Sequence, residues 1–370
     1  MSFSDFAFTT TERKVIAGIA GIFALRMMGL FLILPLFRQY AAELAGHTPT
    51  LMGWALGAYG LTQACFQIPF GFLSDRFGRK PLITLGLLLF LLGSVVLALS
   101  EQIQAVIVGR ALQGMGAIGA VLTASLTDFT RSEVRPRAMA WLGMSIGLSF
   151  VGAMLLGPLL STWLSVPQLF WGMGLASLLA LGLIWRMPRF SRPVGGESGL
   201  LPLLRGQALS LSRSGGFLMA LAGVFLIHAS LTLLFLFLPS WLADFGFVQA
   251  KTWQFYVPVF LLSFAGTMKV IRITEKKGRL GTVLGFAMLI LSLSLPSLVF
   301  TRLHYLALFL NITLYFMAFS FLEAGLPAWI TQQVPTQIKG TAMGIYTSAQ
   351  FLGIFVGGVL GGLLLQALEV

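Results

Sequence analysis

The chain has 370 residues, of which 57% are hydrophobic and only 10% are charged, and its net charge is +12. A soluble protein carries about 25% charged residues to cover its surface, so these proportions exclude a single water-soluble core. They also exclude a disordered chain, which would be less apolar, and a disulfide scaffold, because Cys65 is the only cysteine.

Unbroken apolar runs exclude an outer-membrane barrel, whose strands alternate apolar and polar residues, and they predict an all-α, multi-pass membrane protein. Runs of about 20 residues, enough to cross a bilayer, predict eleven helices in chain order. They lie near residues 15–37, 50–71, 81–99, 104–126, 138–160, 167–187, 215–238, 251–268, 281–300, 304–327 and 340–365. The first run is too long for a cleavable signal and has Arg26 at its middle.

Lysine and arginine are distributed unevenly among the predicted loops. The amino-terminal tail and every second loop hold 19 of the 24, the opposite loops hold three, and Arg26 and Arg110 lie inside helices. By the positive-inside rule, this asymmetry predicts a cytoplasmic amino terminus in a protein of the bacterial inner membrane. The basic charge is therefore interpreted as a topology signal, and no nucleic-acid partner is expected.

Similar segments recur at one offset along the chain. Residues 134–140 resemble residues 338–344, which lie 204 positions later, and the same offset places the basic loop at 71–80 over the basic loop at 272–281. Such correspondence is typical of transporters built from two parallel repeats. The chain is therefore predicted to contain a duplicated unit of about six helices.

The repeat predicts the organisation of the whole chain. An amino-terminal six-helix half is expected at residues 1–187, a Gly- and Pro-containing cytoplasmic linker at 188–214, and a carboxy-terminal half at 215–370. By the offset of 204, residue 370 corresponds to residue 166, just before the sixth helix. We therefore expect the twelfth helix of the plan to be missing.

A basic motif with the sequence GFLSDRFGRKPLI joins the second and third predicted helices. Gly71 is expected to allow close helix packing and Gly78 a tight turn, whereas Asp75 suits the amino terminus of a helix. The guanidinium of Arg79 can bond a carboxylate through two N–H groups, and Asp128 is the candidate partner. A loop that only fixes topology is the alternative. The predicted cytoplasmic gate consists of Gly71, Asp75, Arg76, Gly78, Arg79, Lys80 and Asp128.

This motif matches every specified position of the signature loop of the major facilitator superfamily, and the chain resembles that family over its whole length. The segments 26–29, 59–63, 66–69 and 340–344 resemble the YajR-type branch of its twelve-helix drug:proton antiporters. The resemblance implies two six-helix halves that rock around one central site and so give alternating access to a substrate.

A second family motif lies on the fourth predicted helix and contains Arg110, Gln113 and Gly114. In the family this arginine is associated with proton coupling. An arginine inside a bilayer is costly unless it faces a cavity or a partner, which makes Arg110 a candidate site residue. The alternative is an arginine bonded to backbone carbonyls near the end of its helix.

Glycines on the fifth and eleventh predicted helices resemble the family's antiporter motif, although Ala153 stands where a glycine is usual. Small residues at such intervals let helices approach closely and slide. The motif supports export by exchange, and ordinary close packing is the alternative. Its members are Gly157, Pro158, Gly353, Gly357 and Gly361.

Four ionisable side chains lie within the predicted spans, and they are the candidates for proton coupling: Arg26, Arg110, His228 and Glu323. Glu323 is the leading proton carrier because it is the only acid well inside a helix. His228 is the second candidate, since histidine is the side chain that titrates near neutral pH. The alternatives are a fixed ion pair or a helix end near Pro327 for Glu323, and a packing role for His228.

Polar and aromatic side chains on the same helices are predicted to line the substrate cavity: Tyr59, Gln63, Gln67, Gln113, Asn311, Tyr315, Tyr346 and Gln350. The first three recur every four residues and so share one helical face. The same residues could instead join helices without a ligand. Arg26 occupies a helix on which drug exporters often carry an acid, so neutral or anionic amphipathic solutes fit the charge balance better, unless Arg26 neutralises Glu323.

The sequence therefore predicts a monomeric, proton-coupled secondary transporter that exports a small amphipathic solute and whose partners are that solute, protons and lipid. A proton symporter that imports a metabolite and a non-transporting sensor remain alternatives. An enzyme is not expected, because His47, His228 and His304 form no metal-binding or catalytic spacing. No cofactor and no metal are expected.

Overall fold

The computed structural model describes residues 8–188, 211, 213–334 and 338–368, and this part of the chain folds into thirteen α-helices. The first eight are α1 (Thr10–Phe31), α2 (Phe37–Ala42), α3 (Pro49–Phe77), α4 (Arg79–Ala98), α5 (Ile103–Met115), α6 (Gly119–Phe129), α7 (Arg135–Leu160) and α8 (Val166–Arg186). The other five are α9 (Gly215–Asp244), α10 (Trp253–Lys277), α11 (Leu280–Thr301), α12 (Tyr305–Gln333) and α13 (Lys339–Leu368). The predicted linker at 188–214 falls almost entirely outside the described residues.

Ten stretches of the described chain are long and apolar enough to cross a membrane, which confirms the prediction of an all-α multi-pass protein. They are Thr10–Phe31, Arg79–Ala98, Ile103–Phe129, Arg137–Leu160, Val166–Arg186, Gly215–Asp244, Gln249–Thr274, Leu280–Thr301, Tyr305–Ile330 and Thr341–Leu368. The second predicted span is the 29-residue helix α3, which lies outside this set. Its Gln63, Gln67 and glycines make it less apolar than its neighbours, and many of them are buried against other helices.

Local capping explains where several helices begin. Thr9 and Glu12 form a reciprocal capping box at the start of α1, with bonds of 2.8 and 3.2 Å between side chain and backbone. Thr48 accepts a bond from Leu51 N at the start of α3, and Pro49 occupies the first position, where no N–H is needed. We call the end of the bundle at which α1 begins the proximal end, and the end at which α3 begins the distal end.

The helices repeat along the chain with nearly constant spacing. Helices that start at residues 10, 49, 79, 103 and 135 correspond to helices that start at 215, 253, 280, 305 and 339, which are offsets of 201–205 residues. This agrees with the offset of 204 found in the sequence, so α1–α8 and α9–α13 are the first and second halves of a parallel repeat.

The fourth span, expected as one helix over 104–126, is broken between α5 and α6. Ala117 N and Ile118 N bond to carbonyls only two residues back, at 2.8 Å each, so the i to i−4 ladder is interrupted at residues 116–118. A Cβ on Gly114 would lie 2.3 Å from the Tyr59 oxygen, and one on Gly116 would lie 2.3 Å from the Gly86 oxygen. The break therefore coincides with close backbone contacts to α3 and α4.

The first span also differs from the expected single helix over 15–37. α1 ends at Phe31, and residues 32–36 form tight turns before the short helix α2. Pro35 explains the change, because proline has no N–H to donate and disfavours helical geometry in the residue before it.

The two halves meet through α3 against α13 and through α7 against α10. A Cβ on Gly53 would lie 2.3 Å from the Gly358 oxygen, and one on Gly60 would lie 2.5 Å from the Phe351 oxygen. Arg38 adds a distal contact between the halves, donating to Leu236 O at 3.1 Å and to a serine hydroxyl at 2.6 Å. These contacts close the distal end of the bundle.

Candidate functional site

An arginine-centred cluster lies at the proximal end of the first half. Arg79 Nη1 donates to the Asp75 carboxylate and, at 2.6 Å, to the Ser74 hydroxyl, while its Nε donates to Asp128 Oδ2 at 3.1 Å. Gly78 joins α3 to α4 with φ +97°, a conformation that favours glycine. The structure thus brings Asp75, Arg79 and Asp128 together and ties α3, α4 and α6 to one another.

The remaining members of the predicted gate lie around this cluster. Arg76 stacks over the Phe77 ring at 5.7 Å, and Lys80 Nζ donates to the Met187 oxygen at 2.7 Å. The expected close packing at Gly71 is wrong, because an added Cβ would meet only a methyl group 3.8 Å away, an ordinary van der Waals contact. On α3 the tight approach lies nearer the distal end, at the three glycines that face α13.

A second proximal ion pair was not predicted. Arg131 Nε donates to Glu12 Oε1 at 3.0 Å, Arg131 Nη2 donates to Glu12 Oε2 at 3.2 Å, and the Glu12 side chain is 5% exposed. The pair fixes the start of α1 to the loop after α6. The T-x-x-E capping pattern at residues 9–12 marks Glu12 as a capping residue in the sequence, but no local pattern identifies Arg131 as its partner.

Buried polar groups of the first half gather around Tyr59. Arg26 Nη2 donates to Gln63 Oε1 at 2.5 Å and lies 3.5 Å from the Tyr59 hydroxyl, and Gln63 Nε2 donates to Gln67 Oε1 at 3.0 Å. The guanidinium of Arg110 stacks over the ring of the same tyrosine, 4.9 Å from its centroid. The predicted polar face of α3 therefore meets both intramembrane arginines.

Arg110 is held by a short chain of side-chain bonds. Its Nη1 donates to Gln113 Oε1 at 3.0 Å, and Gln113 Nε2 donates to the Ser94 hydroxyl on α4 at 2.9 Å. Arg110 is 1% exposed and its Nε has no partner among the described residues. The alternative of an arginine satisfied by backbone carbonyls is not what the structure shows. Ser94 was not predicted, because a lone serine in an apolar run has no distinguishing pattern.

The second half contains a histidine–carboxylate pair. His228 Nδ1 bonds to the Val224 oxygen at 3.0 Å, its Nε2 lies 2.8 Å from Gln350 Nε2 and 3.7 Å from Glu323 Oε2. His228 is buried, whereas the Glu323 side chain is 39% exposed. α12 continues through Pro327 to residue 333, so Glu323 does not lie at a helix end. The Tyr346 hydroxyl is buried nearby without a hydrogen-bond partner in the described chain.

Two predicted cavity residues prove to join helices. Asn311 Nδ2 donates to Ser294 O, to Ser297 Oγ and to Thr301 Oγ1 at 2.9–3.2 Å. Its amide is thus used to bond α12 to α11, which agrees with the alternative that these polar residues join helices. The Tyr315 hydroxyl lies 2.8 Å from the Ser230 hydroxyl and joins α12 to α9.

The glycines of the antiporter-type motif lie at close helix crossings within each half. A Cβ on Gly157 would lie 2.6 Å from the Leu32 oxygen, one on Gly353 would lie 2.3 Å from the Phe225 oxygen, and one on Gly357 would lie 2.1 Å from the Ala229 oxygen. A Cβ on Gly361 would lie 2.5 Å from the Leu236 side chain of α9, and Pro158 lies within α7 near its end. These positions pack α7 on the segment after α1, and α13 on α9.

Phenylalanines of the two halves contact one another beside His228. Phe150 of the first half contacts the rings of Phe260, Phe316 and Phe319 of the second half, with centroids 5.8–6.3 Å apart. Phe319 also packs against His228 at 5.8 Å. These aromatic residues were not predicted, because the sequence of an apolar membrane helix does not show which of its residues face another helix and which face lipid.

A separate cavity of about 490 Å³ lies among the distal loops and includes Tyr40 and Glu43.

The described residues contain no group of histidine, cysteine or acidic side chains that could hold a metal ion. The polar clusters therefore offer hydrogen bonds, fixed positive charge and one titratable pair as their chemistry. Such groups can bind a solute and exchange a proton. They lie on the helices around the contact between the two halves, the place where transporters of the repeat type bind substrate.

Comparison with known proteins agrees with this architecture. The sequence model of the Major Facilitator Superfamily matches residues 19–358. The chain is 40% identical over 361 residues to the inner membrane transport protein YajR of Escherichia coli (strain K12). The aligned region covers 97% of this chain and 79% of that protein. It is 27% identical to the multidrug resistance protein MdtH of Yersinia enterocolitica, with 90% of this chain and 82% of that protein covered.

Solved structures show the same fold. The crystal structure of a D-xylose–proton symporter superposes with a TM-score of 0.75 over 95% of this chain and 89% of that chain, at 15% identity. The relatives found are transporters, which agrees with the expectation of a non-enzyme. From the family match across the chain, the 40% identity and the shared fold, the chain belongs to the major facilitator superfamily.

Proposed function

We propose that the chain is a proton-coupled secondary transporter that exports a small amphipathic solute across a bacterial inner membrane by alternating access. The observation that supports coupling best is the pairing of His228 with Glu323 at 3.7 Å on two helices of the second half. The similarity to a relative named for multidrug resistance supports export.

The hydrogen bonds around His228 leave one position for a mobile proton. Its Nδ1 must donate, because the partner is the carbonyl oxygen of Val224. In the neutral ring Nε2 is then an acceptor, and it accepts from the Gln350 amide. An ionised Glu323 would face that lone pair at 3.7 Å without a bond, so a proton on either group converts a repulsive contact into an attractive one.

The two members of this pair differ in exposure. The Glu323 side chain is 39% exposed and His228 is 2% exposed, while the Glu323 Oε2 atom that faces the ring is buried without a hydrogen bond, so the carboxyl group connects the buried ring to the more accessible side of the pair. Tyr346 and Gln350 come from α13, which contacts α3 of the first half. Protonation of the pair therefore acts on the helix that forms the contact between the halves.

Topology follows from the positive charge of the proximal loops. The positive-inside rule places the proximal end, with the amino terminus, in the cytoplasm. The distal end then faces the periplasm and is closed by the α3–α13 contact and by Arg38. On this assignment the structure is the state closed to the periplasm.

The Arg79 cluster acts as a cytoplasmic latch of the first half. It ties α3, α4 and α6 together through Asp75 and Asp128, and Glu12 with Arg131 adds α1 to the same end. All these groups belong to the first half, so the latch keeps the proximal ends of that half together while the halves rock. This differs from a latch that bridges the two halves.

Proton-coupled export is tested in everted membrane vesicles that contain a pH-sensitive dye. Compounds that the protein exports should dissipate a preformed pH gradient when they are added, and a panel of toxic amphipathic compounds identifies them. Glu323→Gln should abolish this proton flux and retain counterflow of the same compound, because the neutral amide keeps the shape of the side chain but binds no proton.

Glu43→Gln is the matched control, since Glu43 is an exposed acid at the distal surface, and it should keep the wild-type flux. Undiminished proton flux in Glu323→Gln would refute the assignment of the proton site. A gradient that the transported compound increases rather than dissipates would show coupled import instead of export.

A further inference from the structure

Two arginines are buried in the first half with part of their hydrogen-bonding capacity unused. Arg26 is 3% exposed and Arg110 is 1% exposed. Arg26 Nε and Nη1 and Arg110 Nε have no hydrogen-bond partner among the described residues. A buried N–H without a partner costs about 1–3 kcal/mol, and more when the group is charged, so this arrangement is expensive unless a ligand uses it.

No carboxylate neutralises these charges within the described chain. The described helices packed on α1 and α3, together with those two helices, carry acids only at Glu12, Asp75 and Asp128, which bond to Arg131 or Arg79 at the proximal end. Glu323 of the second half lies beside His228 rather than beside Arg26. An arginine buried without a counter-ion is strongly unfavourable in a protein interior, and an oxyanion supplies the missing charge.

The two guanidinium groups converge on one side chain. Arg26 Nη2 lies 3.5 Å from the Tyr59 hydroxyl, and Arg110 stacks on the Tyr59 ring at 4.9 Å. Gln63 and Gln113 orient them with bonds of 2.5 and 3.0 Å. Planar guanidinium groups held in this way bind carboxylate, phosphate or sulfonate oxygens through two N–H groups at once.

An apolar surface lies beside these charges. The Tyr59 ring packs against Phe351 of α13 at 6.2 Å, so an aromatic side chain of the second half reaches the first-half cluster. Arg26 also borders a cavity of about 10 Å³ with Phe90 and Met173. That volume holds about one water molecule, so an organic ligand needs the surrounding helices to separate, as alternating access provides.

We propose that Arg26 and Arg110 together bind the anionic head group of an organic substrate whose apolar part packs on the neighbouring aromatic residues. The inference rests on the proposed function, because it assigns the chemical class of solute that the transport site takes. Two fixed positive charges also disfavour lipophilic cations at this site.

The test uses the purified full chain in detergent and measures the unfolding temperature with and without millimolar ligand. Benzoate, phenyl phosphate and benzenesulfonate are the anionic probes, whereas benzyl alcohol and benzylamine present the same ring without charge and with positive charge. A ligand that binds only the folded state raises Tm. At least one of the aromatic anions should raise Tm, and the neutral and cationic probes should not.

Variants connect this response to the two arginines. Arg26→Gln and Arg110→Gln should weaken anion affinity about tenfold to a hundredfold, the cost of lost hydrogen bonds to a charged group. Arg26→Lys and Arg110→Lys should restore part of the anion affinity, because lysine keeps the positive charge but lacks the paired N–H groups of the guanidinium. Each shift is referred to the same variant without ligand, so a change in the stability of the apoprotein does not affect the result.

Three outcomes would overturn the proposal: no aromatic anion raises Tm, the neutral or cationic probe does so equally, or the glutamine variants keep the full response. Stabilisation by inorganic phosphate alone would also overturn it, since the proposed ligand is organic. Glu323→Gln should keep the anion response while it loses proton flux. Failure of the anion site and failure of proton coupling are therefore distinguishable.

Discussion

The glycine contact between α3 and α13 gives the most quantitative prediction. In Gly53→Ala the new methyl group would lie 2.3 Å from the Gly358 oxygen and 2.9 Å from Gly362 Cα. A carbon–oxygen contact normally needs about 3.3 Å or more, so the shortfall is about 1 Å. Both opposing atoms are backbone atoms, so no rotation of a side chain can relieve it, and the helices must move apart.

The cost of this movement is about 1–3 kcal/mol, the usual range for overpacking. It applies only to the state in which the distal end is closed, so it shifts the equilibrium toward distal opening by about 5-fold to 150-fold. Gly71→Ala on the same helix is the matched control, because its methyl group would meet only Ala120 Cβ at 3.8 Å and should shift nothing.

The assay is the distance between spin labels on opposite halves at the distal end. The labels are attached to Glu43→Cys and Asp244→Cys in a Cys65→Ser background. Glu43 directly follows α2, Asp244 is the last residue of α9, and both positions are exposed. Gly53→Ala should add a population with a longer distance, and Gly71→Ala should match the parent. Identical distance distributions for the two alanine variants would refute the argument that this contact sets the closed state.

Three further predictions follow from contacts within each half. Asp128→Asn should loosen the proximal end, because it leaves Arg79 with one carboxylate, and hydrogen exchange at the start of α4 should increase; unchanged exchange would contradict the latch. Glu12→Gln should lower Tm, since it removes the charge that Arg131 bonds, and an unaltered Tm would count against a stabilising role for that ion pair. Asn311→Leu should cost about 0.6 kcal/mol of stability for each interhelical bond that it removes, and it should leave transport intact; lost transport at normal stability would favour a place for Asn311 in the substrate site.

The sequence was sufficient to locate most of the helices and the repeat, because hydropathy and spacing can be read along the chain, but it did not predict the breaks in the first and fourth spans. The four-residue spacing of Tyr59, Gln63 and Gln67 also predicted one face of α3 correctly. That face meets Arg26 and Arg110, but the convergence of two arginines on one tyrosine depends on how three helices are rotated against one another. A single sequence does not contain that information.

Two features that the sequence did not predict have local physical reasons. Asn311 was expected in a cavity, yet a polar side chain in a membrane helix bonds whichever neighbour offers acceptors, and α11 presents serine and threonine oxygens at three positions. The break at residues 116–118 lies in a run whose mean hydropathy stays high despite Arg110 and Gln113, so hydropathy treats α5 and α6 as one span. The sequence contains Gly114 and Gly116, but it does not show that they approach the backbones of α3 and α4.

The break at residues 116–118 divides the fourth span into two helices, α5 and α6, that can change their tilt independently. α5 carries Arg110, and α6 carries Asp128 at the far side of the joint. A continuous helix would transmit any tilt along its full length, whereas residues 116–118 lack the i to i−4 bonds that make a helix a stiff rod. α6, which the Arg79 cluster holds through Asp128, can therefore tilt without turning the Arg110 guanidinium away from the Tyr59 ring.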